Sequence, residues 1–457
     1  MNCKKKILIA IVFLSFQIAV NGQSIVLPRF FTDGMVIQRE TKAAVWGWTS
    51  AGSTVNIVGS WNNLTVSTQA DSNGKFMTYL LTPQAGGPYT IKFTANNTEK
   101  IISDVLVGEV WICSGQSNMK LRLGEADMWR VSGDNNSNIR FFEVSVNRSS
   151  TPQDTVKGGQ WRYGVVPNNM QHISAVGYYF ARRLQEKLNI PIGMLGSYEG
   201  GTNIEEWTNP AVMTSIPDVL NAYKVPSAGR EAGCLYNAMI YPLLPYNVSG
   251  FIWYQGENNV SRMQYYDKNL KAMVADWRKS FENKNLPFYL VQLPSYSSSW
   301  MEFREMQEDI TKTLNNSGMA VTIDVGDNGN IHPSNKKPVG DRLGDIALAK
   351  VYGNTALSFS SPVFRKINIE GSKIRVYFDY ADKGLKLTTG TKPLHYEIAG
   401  ADGVYYSADA RIEGNTVLAW ATQVTIPVSL RYFWKNYGVP NLFTVDGLPI
   451  APFRSKK

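Results

Sequence analysis

Histidine and cysteine are scarce in this chain, three of each in 457 residues. No Cys-x-x-Cys pair and no His-Glu-x-x-His pattern occurs, which argues against a structural zinc site and against a zincin-type protease. Outside the N-terminal segment only Cys113 and Cys234 remain. Two cysteines do not make a disulfide framework even where oxidation is permitted, and they read as buried free thiols. The formal charge is +9, yet no basic run or arginine-rich helix stands out, so nucleic acid is not an expected partner. There is no repeat of fixed period and no low-complexity tract. No apolar run is long enough for a membrane span, so membrane insertion is not expected either.

What is present is ordinary globular composition, 44% apolar and 18% charged, in a chain long enough for two or three domains. Aromatics reach 12%. Their flat faces and polar edges suit carbohydrate as well as core packing. The first residues read as an address. Lys4, Lys5 and Lys6 precede an apolar stretch from Ile7 to Val20, and cleavage before Gln23 is plausible from the small side chains around Gly22. Residues 1–22 are therefore expected to be a signal peptide directing export to the periplasm or exterior. Cys3 lies ahead of the apolar stretch, where a lipoprotein cysteine would not sit. Removing the three lysines of the segment leaves a charge of about +6.

Residues 23–105 pattern as short strands, such as Lys42 to Trp48 and Thr54 to Val58, broken by turn signals at Ala51-Gly52-Ser53 and Ser72-Asn73-Gly74. That spacing predicts a sandwich-like β domain. Residues 106–355 alternate apolar strands (Val107 to Ile112, Ile192 to Leu195, Gly250 to Tyr254, Phe288 to Gln292, Ala320 to Ile323) with helical patterns. Val176, Phe180, Leu184 and Leu188 form a stripe at i+4 steps. Tyr265 to Phe281 and Arg304 to Leu314 are further helix candidates. This alternation predicts an α/β fold with a parallel sheet covered on both faces. Residues 356–457 return to β patterning.

Chemistry concentrates at the ends of the central strands. Cys113-Ser114-Gly115-Gln116-Ser117-Asn118-Met119 follows the strand ending at Ile112. A serine at the C-terminal edge of a parallel sheet sits where ligands bind, and Gly115 permits a sharp turn. Ser117 is the candidate nucleophile, although a turn or N-cap serine is the plainer alternative. This is not the Gly-x-Ser-x-Gly elbow of α/β-hydrolases. Among the histidines, His172 precedes a helix and reads as capping or packing, and His395 lies in the C-terminal β region. His332 lies in a polar strand-to-helix loop from which it can reach a serine at a neighbouring strand end. Gly200-Gly201 allows close backbone approach, so an N–H there can donate to an oxyanion, and Gln255 can donate without carrying charge.

The segments Gly115 to Met119, Gly200 to Trp207, Trp253 to Glu257 and Ile331 to Lys336 resemble, in order, the motifs of the sialate O-acetylesterase family in the SGNH-hydrolase group. Leu27 to Arg39, Leu235 to Ile240 and Asn441 to Arg454 extend the resemblance over nearly all of the mature chain. The resemblance implies an SGNH-like three-layer α/β/α core with accessory β domains at both ends. It also implies a serine ester hydrolase that removes acetyl groups from sugars. Ser117 attacks the ester, His332 takes its proton, and the Ser117 N–H, the Gly201 N–H and the Gln255 side chain hold the oxyanion. No metal or organic cofactor is expected, and the partner is an acetylated sugar or glycan. Two departures stand out. The position three before the histidine, where many SGNH enzymes have Asp, is Gly329, and two before is Asn330. Asp327 and Asp324 are the alternatives for the third member, with a backbone carbonyl as another. Position 199 is Glu where the family often has an aromatic residue. Within the enzyme class acetylxylan is the competing substrate; outside it, an inactive carbohydrate-binding protein is the competing reading.

Overall fold

The computed structural model describes residues 24–456 apart from 127 and 167. The expected signal peptide, and Cys3 with it, lies outside the described residues. Among the described residues no helix is long and apolar enough to cross a membrane.

The central strand, Thr98–Gly115, is buried continuously from Val105 to Gly115. A strand buried on both faces needs apolar side chains in both directions, and Val105 to Cys113 supply them apart from Gly108 and Glu109. Its neighbours build one sheet in the order Ser317–Ala320, Phe288–Val291, Gly250–Tyr254, Thr98–Gly115, Ile192–Tyr198, Asn135–Glu143, Trp161–Val165. Every pairing on this path is parallel except the last. The apolar run Ala320 to Ile323 is only partly strand: pairing stops at Ala320, and the buried residues after it lead into the His332 loop.

Helix Ala175–Leu188 covers one face. Its Ser174 cap accepts from the Gly177 N–H, its stripe residue Phe180 meets Trp111 edge to face, and Asn189 ends it in the left-handed region. Helix Lys337–Lys350 packs beside it, joined by the Arg183–Asp345 ion pair at 2.7 Å. Helix Met263–Ser280 covers the opposite face, where Trp277 packs against Phe251 and Trp253. The result is a three-layer α/β/α core.

β structure flanks the core at both ends. On the N-terminal side, Lys42–Trp48 pairs with Lys75–Leu81, and Thr54–Gly59 pairs with Thr65–Gln69 and Gly86–Ala95. Gly86–Ala95 in turn pairs with Thr98–Gly115, and Val36–Gln38 runs parallel to it. One 18-residue strand thus serves both the N-terminal sheet and the core, crossing the boundary expected at 105/106. On the C-terminal side, two four-stranded sheets are antiparallel throughout. Arg304 ties this region to the core by donating to the carbonyls of Leu293, Pro294, Lys435 and Asn436.

Candidate active site

The parallel strands end together, so the residues that follow them gather along one edge of the sheet. Gly115 ends the central strand with φ +134°, and a β-carbon there would lie 2.1 Å from the Tyr254 carbonyl oxygen. Only glycine allows the two strands to approach this closely while the chain turns. The Gln116 N–H then donates to the same carbonyl at 2.9 Å, and Ser117 opens the short helix Ser117–Lys120. Ser117 is half-buried, and a β-carbon on Gly200 would lie 3.6 Å from its own. Gly200, after strand Ile192–Tyr198, therefore lies beside the serine. Among the described residues, the N–H groups of Ser117, Gly200 and Gly201 have no acceptor. Gly201 is exposed, has φ +66°, and its carbonyl is pinned by Arg230 Nη2 and by Asn258 Nδ2, each at 2.7 Å.

Gln255 turns its amide inward. It is fully buried, and Nε2 donates to Gln116 Oε1, the Thr202 carbonyl and Asn259 Oδ1 at 3.0, 3.1 and 2.8 Å. In this geometry it braces the serine and glycine motifs against each other, and its protons are already committed. Glu199, at the departure noted above, pairs with Lys120 at 2.6 Å, so the position is occupied by an ion pair in place of a ring.

His332 is half-buried in the loop ahead of helix Lys337–Lys350. Its backbone N–H donates to Asn330 Oδ1. Burial holds its imidazole below the usual value and Lys336 adds to this, while Glu125 acts in the opposite direction. Neither expected acid reaches the ring. Asp324 is held by Arg342 through two bonds of 2.8 and 2.6 Å. Asp327 Oδ1 accepts from the N–H groups of Gly329 and Asn330, shaping the loop. His172 is exposed beside Gln171, and the His395 ring bonds the Val439 carbonyl in the C-terminal region.

The serine and histidine segments are joined directly. Asn118, fully buried, donates from Nδ2 to the Ile331 carbonyl at 3.0 Å and to Glu257 Oε1 at 2.6 Å. Its Oδ1 accepts from Lys336 Nζ at 2.6 Å. Asn118, Glu257, Asn258 and Lys336 were not singled out by sequence reasoning. Three of them lie inside the quoted motifs and Asn258 directly follows one, so the signal was position within the motif, not residue type. Cys113 and Cys234 are both free and buried, and burial raises both thiols, Cys234 to about 12. Among the described residues no cluster of His, Cys, Asp or Glu is fit to hold a metal ion.

The family model described as carbohydrate esterase, sialic acid-specific acetylesterase matches residues 107–349. The chain belongs to that family. It is 30% identical to the human sialate O-acetylesterase over 394 residues, covering 75% of this chain and 74% of the human protein. The mouse sialate O-acetylesterase is likewise 30% identical over 409 residues, covering 74% and 75%. Among solved structures, a carbohydrate acetylesterase from Xanthomonas citri superposes with a TM-score of 0.87 at 34% identity, covering 95% of this chain and 100% of that one. The protein is an ester hydrolase of the sialate O-acetylesterase-like carbohydrate esterase type.

Proposed function

We propose that this esterase is exported and removes acetyl groups from sugar hydroxyls through an acetyl-enzyme on Ser117. Ser117 Oγ attacks the acetyl carbonyl carbon as His332 takes its proton. The sugar oxygen leaves with that proton, and a water deprotonated by His332 then releases acetate and restores the serine. The free N–H groups of Ser117 and Gly201 receive the oxyanion, each donor being worth about two to three orders of magnitude in rate. Gln255 contributes as the brace that holds the Thr202 carbonyl and Gln116 in place.

The observation that carries this reading is the Asn118–Ile331 bond, which ties the residue after the serine to the residue before the histidine. The test is acetate release from an acetylated sugar by the wild type and by Ser117→Ala; equal rates would remove the assignment. The mammalian relatives are named for sialate and the Xanthomonas citri structure for carbohydrate more broadly. Comparing rates on O-acetylated sialic acid and on acetylxylan separates these substrates. Export rests on the basic and apolar pattern of residues 1–22. Release of a chain starting at Gln23 into the periplasm or medium is its check.

A further inference from the structure

Lys336 is fully buried, sits 5.3 Å over the Tyr254 ring, and donates to Asn118 Oδ1. Burying an ammonium is costly, and the reaction proposed above gives Lys336, Asn118 and Glu257 nothing to do. Their contacts nevertheless fix one arrangement. The Asn118 oxygen accepts a hydrogen bond from Lys336, and its NH2 donates to Glu257 and to the Ile331 carbonyl. A flipped amide would set NH2 against ammonium and oxygen against carboxylate.

We propose that Lys336 and Asn118 are positioning residues for His332: Lys336 fixes the Asn118 amide, and Asn118 holds the Ile331 carbonyl so that the next residue's imidazole is presented to the preceding residue's hydroxyl. This rests on Ser117 and His332 being nucleophile and base. Charge adds a second effect. The charged groups facing His332 are Lys336, which opposes its protonation, and Glu125, which favours it. Those facing Lys336 are Glu257 and His332. Burial brings the lysine down to about 7, so it is an ammonium over the acidic range in which the imidazole gains its proton.

The test compares Asn118→Asp, Lys336→Met and Lys336→Gln with wild type on p-nitrophenyl acetate and acetylated xylose. Ser117→Ala and His332→Ala serve as references. Asn118→Asp keeps the acceptor for Lys336 but loses the donors to Ile331 and Glu257 and sets a second carboxylate against Glu257, so in the folded variant kcat falls about a hundredfold with KM nearly unchanged. Lys336→Met lowers kcat about tenfold and moves the acid midpoint of kcat/KM upward by about half a pH unit. Lys336→Gln restores a donor without charge: kcat recovers in part while the midpoint stays shifted. It also decides the matter if the Met variant does not fold. Wild-type kcat and an unmoved midpoint in folded variants, with both reference variants inactive, overturn the positioning role and leave the esterase reading standing. Full activity in Ser117→Ala overturns that underlying reading instead.

Discussion

The Tyr254 carbonyl oxygen lies 2.1 Å from where a β-carbon on Gly115 would stand, and it accepts the Gln116 N–H at 2.9 Å. The turn that carries Ser117 is therefore built against a neighbouring strand end with no room for a side chain. Gly115→Ala must part the two strands and strain a positive φ, at a cost of about 3 kcal/mol or more. The expected outcome is a protein with a lowered Tm in which even the folded fraction hydrolyses acetyl esters poorly. A variant with wild-type Tm and rate would show that the strand ends can separate freely.

Asn258 and Arg230 both donate to the Gly201 carbonyl, which fixes the backbone that carries the proposed oxyanion N–H. Asn258 is exposed, so removing its side chain leaves the core intact. Asn258→Ala is expected to lower kcat about tenfold, the worth of one well-placed hydrogen bond, with little change in Tm. Steady-state kinetics and a thermal melt together check this; an unchanged kcat means Arg230 alone suffices.

Much of the core was legible because its signals are local. The apolar runs Gly250 to Tyr254 and Phe288 to Gln292 are too short for helices and are strands, while the stripe of Val176, Phe180 and Leu184 makes one buried helix face. The serine and histidine segments were found because each follows such a strand. What was not legible depends on side chains far apart in sequence. Asn118 meets Glu257 and Lys336 across 139 and 218 residues. Gln255 has the chemistry of an oxyanion donor, but its protons go to Gln116, Thr202 and Asn259, a choice made by packing alone. The continuity of Thr98–Gly115 was hidden because its first residues, Thr98 to Asp104, are mostly exposed while the rest is buried on both faces, so the two parts read as different elements.

The two acids weighed as third member should separate cleanly. Asp324 forms a largely buried pair with Arg342, so Asp324→Asn leaves a guanidinium poorly matched and costs about 3 kcal/mol of stability. Asp327 is exposed and shapes the loop through two backbone N–H groups. Asp327→Asn retains an acceptor oxygen and is expected to keep Tm and most of kcat. A loss of several hundredfold in kcat with either variant at unchanged Tm would instead place that carboxylate on the imidazole during turnover.

The pH dependence follows from His332 and Lys336. As the proposed base His332 must be neutral, and burial with Lys336 holds its imidazole below the usual value, so the acid midpoint of kcat/KM is expected below pH 6.5. Stability moves in the same direction with pH, around a different group. Unfolded lysine keeps its proton to about 10.4, while folded Lys336 releases it at about 7. Between these values the unfolded state binds more protons, so this residue's contribution makes stability rise with pH across that window. The rise in Tm from pH 7 to 9 should be smaller in Lys336→Met than in wild type.

Arg304 joins the C-terminal β region to the core through one fully buried side chain. Its guanidinium donates to the carbonyls of Leu293 and Pro294 on one side and of Lys435 and Asn436 on the other, at 2.8–3.1 Å. A planar fork can serve four acceptors in fixed directions, which neither lysine nor methionine can reproduce. Arg304→Met leaves those carbonyls without their donor at a cost of about 3–5 kcal/mol. The nearby Arg454–Glu305 pair, partly exposed, is too weak to replace it. The expected signature is selective release of residues beyond about 356: limited proteolysis should cut there before the core unfolds. Ser117 and His332 lie in the core, so early esterase activity should outlast the first cleavage. Simultaneous loss of both regions in one transition would show that the C-terminal sheets and the core remain a single cooperative unit without this link.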